Sequence, residues 1–226
     1  MKTISNALII LVATLCQSFA ESDPNAAPTG FIRVVDAVAM GTGQVNVIID
    51  GEDMRPQGYN LGSATGGIGM KAGSHKITIK RKGVKEGTTT VALDKDQTMT
   101  LIPFAERVPA TDQVPAHDEI RILRLKQRQV ESGRIATFVS VSATPELKVE
   151  LQSEDGKWAS VFVKRLMTGE TALNYSQGYA PAKVNGNPIN PIPIGSFGNY
   201  VIVLYDDTEG KVQSLYFRDF KFLSAD

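Results

Sequence analysis

The chain has 226 residues, and its 24 lysines and arginines balance 24 aspartates and glutamates. A net charge of zero provides no field to draw nucleic acid or an anionic membrane surface. One cysteine and two histidines exclude a disulfide scaffold and leave too few of the usual ligands for a zinc site.

The first twenty residues, MKTISNALIILVATLCQSFA, read as a signal peptide. Lys2 supplies the positive start, Ala7 to Cys16 the apolar core, and Ser18-Phe19-Ala20 the small-residue cleavage site. The apolar run is shorter than the roughly 20 residues a membrane span needs. Leu15 is too bulky to precede a lipidated Cys16. Cleavage after Ala20 removes the only cysteine and leaves the charge within one unit of zero. No later segment is apolar enough to span a bilayer, so the chain is expected to be exported, to the periplasm, the cell surface or the medium.

Residues 21–30, ESDPNAAPTG, are small and polar and read as a disordered lead-in. From Phe31 the chain becomes a series of short runs of period two: FIRVV, QVNVIID, HKITIKR, TTTVAL and TMTLIPF. Val45, Val47 and Ile49 share one face, and Ile77 and Ile79 alternate with Lys76, Thr78 and Lys80, the signature of half-buried strands. Asp50-Gly51 marks a tight turn. The order then returns: ATFVSVSA (136–143) is like FIRVVDA, ELKVELQ followed by Asp155-Gly156 is like QVNVIID-Gly51, and NYVIVLYD is matched with HKITIKR.

The expected fold is therefore all-β, two tandem antiparallel β-sandwich (Ig-like) domains after the signal peptide. The boundaries are 31–104 for the first domain, 105–118 for a proline-containing linker, and 119–226 for the second. Residues 119–126, EIRILRLK, carry apolar side chains on both faces and favour a strand over a helix start. Two long irregular stretches, 51–73 and 168–198, stand out, because long structureless loops in compact domains are often functional.

The search for chemistry returns no catalytic residue, no metal site and no cofactor. Ser74 and His75 are strand neighbours and point to opposite faces. Gly195-Ser196-Phe197-Gly198 lacks the spacing of a nucleophile elbow. Asp94, Asp96 and the Asp206-Asp207-Glu209 group miss calcium-loop spacing and suit turns. Binding residues are better represented. Tyr175 and Tyr179 sit with Asn174 and Gln177 in 168–198, where aromatic faces beside amides suit stacking on sugar rings; loop aromatics also pack onto their own domain. Lys76, Lys80 and Lys82 form a basic run suited to an acidic polymer, although alternating lysines also protect strand edges.

The run FIRVVDA…VNVIIDG…LGSATGG…KAGSHKITIK…TTVALDKDQTMTLI resembles a widespread family of exported bacterial β-sandwich domains. The whole layout is similar to the AlgF family, periplasmic accessory proteins of alginate O-acetylation. It covers 31–104 motif by motif and 119–205 in outline. The resemblance implies a non-enzymatic protein that scaffolds an acetyltransferase complex or binds an acidic polysaccharide, with the transfer chemistry in partner proteins.

Overall fold

A computed structural model describes residues 29–220. The signal peptide, most of the lead-in and the end of the expected FKFL strand lie outside the described residues. Every regular element among the described residues is a strand, and none is a helix that could cross a membrane. The strands of the first half are β1 (Thr29–Val34), β2 (Thr42–Ile49), β3 (Glu52–Asp53), β4 (Ile68–Lys71), β5 (Gly73–Lys82), β6 (Val84–Leu93), β7 (Thr98–Val108) and β8 (His117–Lys126). Those of the second are β9 (Arg134–Ser140), β10 (Glu146–Gln152), β11 (Trp158–Lys164), β12 (Thr168–Ala172), β13 (Gly178–Val184), β14 (Asn187–Ile194), β15 (Gly198–Asp206) and β16 (Val212–Asp219).

The two halves repeat one topology strand for strand. The first is one continuous eight-stranded sheet, β3-β2-β5-β6-β8-β7-β1-β4, whose two four-stranded arms β3-β2-β5-β6 and β8-β7-β1-β4 form the layers of the sandwich; the second has two separate sheets, β11-β10-β13-β14 and β12-β9-β15-β16. Adding eight to each strand number of the first half reproduces the neighbours of the second. The parallel pairings repeat as well, β1 with β7 and β9 with β15. These pairs join strands distant in sequence, so alternation within a strand could not reveal that the sheets are mixed rather than purely antiparallel. In the first half the two arms are joined where Lys85 of β6 pairs in parallel with Glu119 of β8.

Alternation drives each sandwich. Val45, Val47, Ile49, Ile77 and Ile79 pack with Ile32, Val34 and Leu101 in the first core. Phe138, Leu147, Val149, Ile192, Ile202 and Leu204 fill the second. The Asp50-Gly51 and Asn185-Gly186 turns hold both central residues at positive φ, as two-residue hairpins of right-twisted strands require.

Three expectations are corrected. Residues 105–118 do not link the halves. β7 runs through to Val108, β8 begins at His117, and the two pair in register from Met99↔Lys126 to Val108↔His117. The prolines there sit in a hairpin loop, and the chain crosses to the second half over 127–133. EIRILRLK is thus the eighth strand of the first sandwich. The stretch 168–198 is not a loop but holds β12, β13 and β14. Its prolines mislead because β14 is an edge strand, where a missing amide costs no ladder bond, and Pro181 sits at a register shift between Ala180 and Ala182. NYVIVLYD becomes β15, the counterpart of β7, whereas HKITIKR in β5 corresponds to β13.

A third core lies between the halves. Val35, Ala37, Ile102 and Phe104 meet Val139, Val141, Val201, Val203 and Tyr205. These are the outer faces of the equivalent sheets β8-β7-β1-β4 and β12-β9-β15-β16, so the molecule is a stack of four sheets. The central strands of both middle sheets are buried on both faces, and β8 beside them carries apolar side chains toward both cores, which explains the pattern of EIRILRLK. Ile120 and Ile122 belong to the first core, and Leu123 and Leu125 to the middle one.

Polar groups are buried beside this middle layer. Arg33, 2% exposed, lies 3.5 Å from Asp219 and 4.3 Å over the Phe217 ring. Burial lowers the Arg33 pKa and raises that of Asp219, each opposed by the other's charge. Asp36 is 1% exposed. Its Oδ1 accepts the Val38 amide at 2.9 Å, while Oδ2 has no hydrogen-bond partner among the described residues. Burial pushes its pKa up from 3.8 to about 6, against the Val38 hydrogen bond and the Arg81 charge. A carboxyl raised on folding favours the protonated fold. Its contribution is complete below the unfolded pKa near 3.8 and is lost as pH rises through about 6. Asp36→Asn keeps an acceptor for Val38 and removes the ionisation. Relative to wild type, it is expected to gain stability as pH rises from 4 to 7, reaching about 2 kcal/mol. Chemical denaturation across that range checks this; a constant difference contradicts it.

Candidate functional site

The repeat gives the molecule two equivalent outer sheet faces, and their chemistry differs. On β5 of the first half, His75, Ile77 and Ile79 point inward, so Lys76, Lys80 and Lys82 are exposed on the outer face. Lys80 pairs with Glu86 at 3.1 Å, and Thr78 shares a hydrogen bond with Thr88. This face is a solvated lattice of lysine, threonine and glutamate. His75 is held by Asp50 and by the Lys71 carbonyl, each at 2.7 Å. The Asp50 hydrogen bond, opposed by burial, raises its pKa. Ser74 is exposed and His75 buried, consistent with their opposite orientations.

The outer face of β11-β10-β13-β14 is aromatic. Leu147, Val149 and Leu151 of β10 and Val163 of β11 point into the core, so Trp158, Ser160, Phe162 and Lys164 point out. Ala180, Ala182 and Val184 send Tyr179 and Lys183 outward in the same way. Tyr179 is 66% exposed, Phe162 61% and Trp158 39%. Registers Lys148↔Phe162, Gln152↔Trp158 and Leu151↔Ala182 fix their layout. Phe162 and Trp158 are four residues apart on one strand, about 13 Å. Tyr179 lies two strands over and two residues further along, about 12 Å from Trp158. The three rings mark a track of about 25 Å across the sheet. Lys183 places its Nζ 4.2 Å from the centre of the Trp158 ring. Lys148 is paired with Glu150 at 2.9 Å, whereas Lys183 forms no ion pair among the described residues.

Asn174 joins this region. It lines a cleft of about 540 Å³ with Trp158, Gln152 and Lys157, beside the middle ring of the track. Glu154 fixes the cleft wall: its carboxylate accepts Ser176 Oγ at 2.7 Å and the Ser176 amide at 3.1 Å, and its own amide bonds the Asn174 carbonyl. Arg134 bonds the Ser176 and Gly195 carbonyls from the other side.

The expected site residues therefore separate. Tyr179 and Asn174 lie at the aromatic face and its cleft, and Gln177 is exposed near them. Tyr175 is half-buried against the second core. Lys76, Lys80 and Lys82 lie on the opposite outer sheet, about 30 Å away across three intersheet spacings. Trp158, Phe162 and Lys183 lie in strands, where aromatics are core by default, and no single segment marks them as exposed. WASVFVK carries part of the signal: Trp158 and Phe162 share parity with Ser160 and Lys164, while Val161 and Val163 share the other. Among the described residues no group of three or more His, Cys, Asp or Glu could hold a metal ion.

No family model matches the chain. No curated protein matches it either. Among solved structures, the Bacillus anthracis TIE protein overlaps 78% of this chain and 50% of its own at 10% identity and a TM-score of 0.25, a likeness too low to imply a shared fold or function.

The two tyrosines should behave differently. Tyr175→Ala is expected to destabilise the protein by about 2–3 kcal/mol through lost core packing, and Tyr179→Ala to change stability by less than about 0.5 kcal/mol. Thermal melts of the two variants check this, and equal losses would contradict the placement of Tyr179.

Proposed function

We propose that this protein is a non-enzymatic accessory protein of the bacterial cell envelope that binds an extended polysaccharide along the outer face of β11-β10-β13-β14. The observation that carries the reading is the exposed track of Phe162, Trp158 and Tyr179 on one of two otherwise equivalent faces. An aromatic ring kept in water on a rigid sheet is poorly used by the fold itself. It offers a flat apolar surface to the C–H face of a sugar ring at little entropic cost. Lys183, held over Trp158, adds a cation that suits an acidic sugar.

The finer reading is a role in O-acetylation of an alginate-like exopolysaccharide in the periplasm, through polymer binding or scaffolding of acetyltransferase partners. It is supported by the sequence layout, the signal-peptide pattern and the AlgF-family resemblance. The aromatic face alone fits equally an envelope binding module with no part in acetylation. Deleting the gene separates these: a fall in polymer acetyl content supports the first, and unchanged acetylation with altered polymer retention supports the second.

Binding itself is tested by titrating the purified protein with uronate oligosaccharides. Trp158→Ala combined with Tyr179→Ala is expected to weaken binding by about tenfold or more while the melting temperature stays near wild type. Unchanged affinity in a folded double variant would remove this face from the function.

A further inference from the structure

The strand repeat exposes one difference between the halves. In the first, the final strand β8 meets β6 where Lys85 pairs with Glu119, and Gly87 allows the close approach, since a Cβ there would collide with the Ile120 carbonyl. In the second, the counterparts β16 and β14 do not pair. β14 carries Pro188, Pro191 and Pro193, which leave few amides for a ladder. An open seam of about 650 Å³ remains between them, lined in part by Asn187, Pro188, Val212 and Gln213.

The backbone direction of β16 follows from its turn. The Asp207 amide donates to the Lys211 carbonyl at 2.9 Å, so this opposed pair is hydrogen-bonded. Alternation along the register Asp206↔Val212 to Asn199↔Asp219 then turns the backbones of Gln213, Leu215, Phe217 and Asp219 toward β15. Those of Val212, Ser214, Tyr216 and Arg218 turn outward. No strand among the described residues pairs with these four. β16 is thus an eight-residue edge without proline and with charge only at its end. Those are the features that natural sheets use proline, lysine or shortness to avoid.

We propose that β16 is a dimerisation edge that pairs antiparallel with β16 of a second copy of this chain. The two-fold axis would stand perpendicular to the sheet at Leu215 and join two four-stranded sheets into one. Ser214 of one copy then opposes Tyr216 of the other, and Val212 opposes Arg218. This register sets the Arg218 guanidinium beside the turn of the other copy, where Lys211 offsets Glu209 at 2.7 Å and the charge of Asp207 is left over, while Asp206 at the end of β15 is turned to Ser142 and Ala143. The charge complementarity selects a second copy over an arbitrary peptide strand and is satisfied twice by the symmetry. With the axis perpendicular to the sheet, the aromatic faces of both copies point the same way and can engage one polymer together.

Sedimentation equilibrium of the purified protein tests the proposal without any polymer, so its outcome is independent of the polysaccharide reading. The wild type is expected to be a concentration-dependent dimer. Tyr216→Pro removes one outward amide, and Tyr216→Lys adds like charges beside the axis. Each should raise the dissociation constant at least about tenfold, with circular dichroism unchanged. Pro191→Lys on β14 should leave the dimer intact. A monomer at every concentration would overturn the proposal, as would a dimer that survives both folded Tyr216 variants.

Discussion

The packing of one sheet from each half against its equivalent governs the rest of this molecule. The faces of β8-β7-β1-β4 and β12-β9-β15-β16 turned away from their own sandwiches are apolar, and neither could face water without exposing Val35, Ile102, Phe104, Val139, Val201 and Val203 together. Apolar patches of that extent are not left in solvent by soluble chains. Burying them against each other turns two small sandwiches into a four-layer stack. The composition of β7 and β15 follows from this: TLIPF and YVIVLY are continuous apolar runs because each strand has a core on both sides. The same constraint leaves only the two outermost faces free to vary, and it is there that the halves diverge.

Much of the fold was legible because it rests on alternation. Val45, Val47, Ile49, Ile77 and Ile79 announce their faces, and Asp50-Gly51 announces its turn. The repeat was visible in FIRVVDA against ATFVSVSA because equivalent strands have equivalent surroundings. The division of the chain was misread because proline and polarity signal any exposed connection, and a hairpin loop at 109–116 looks like a linker. The prolines of β14 misled similarly: a strand that needs no outer partner tolerates them as well as a loop does. Parallel neighbours and the middle core depend on contacts between distant segments, and no local pattern carries those.

The candidate site was legible in part for the same reason. Tyr179 and Asn174 stand out in the sequence as an aromatic among amides, and the structure places Tyr179 on the outer sheet face and Asn174 in the cleft beside Trp158. Trp158 and Phe162 needed parity read along β11 together with the knowledge that β11 lies in an outermost sheet. Lys183 needed the register between β10 and β13, which brings it over Trp158. A surface built across strands is a property of the sheet rather than of any segment.

The proposed binding of an extended polymer on a rigid face requires the stack to behave as one body. The middle core should tie the unfolding of each half to the other. Differential scanning calorimetry of the purified protein measures this directly. The account predicts a single transition whose calorimetric and van't Hoff enthalpies agree for the whole chain; two resolved transitions, each with the enthalpy of half the chain, would contradict it.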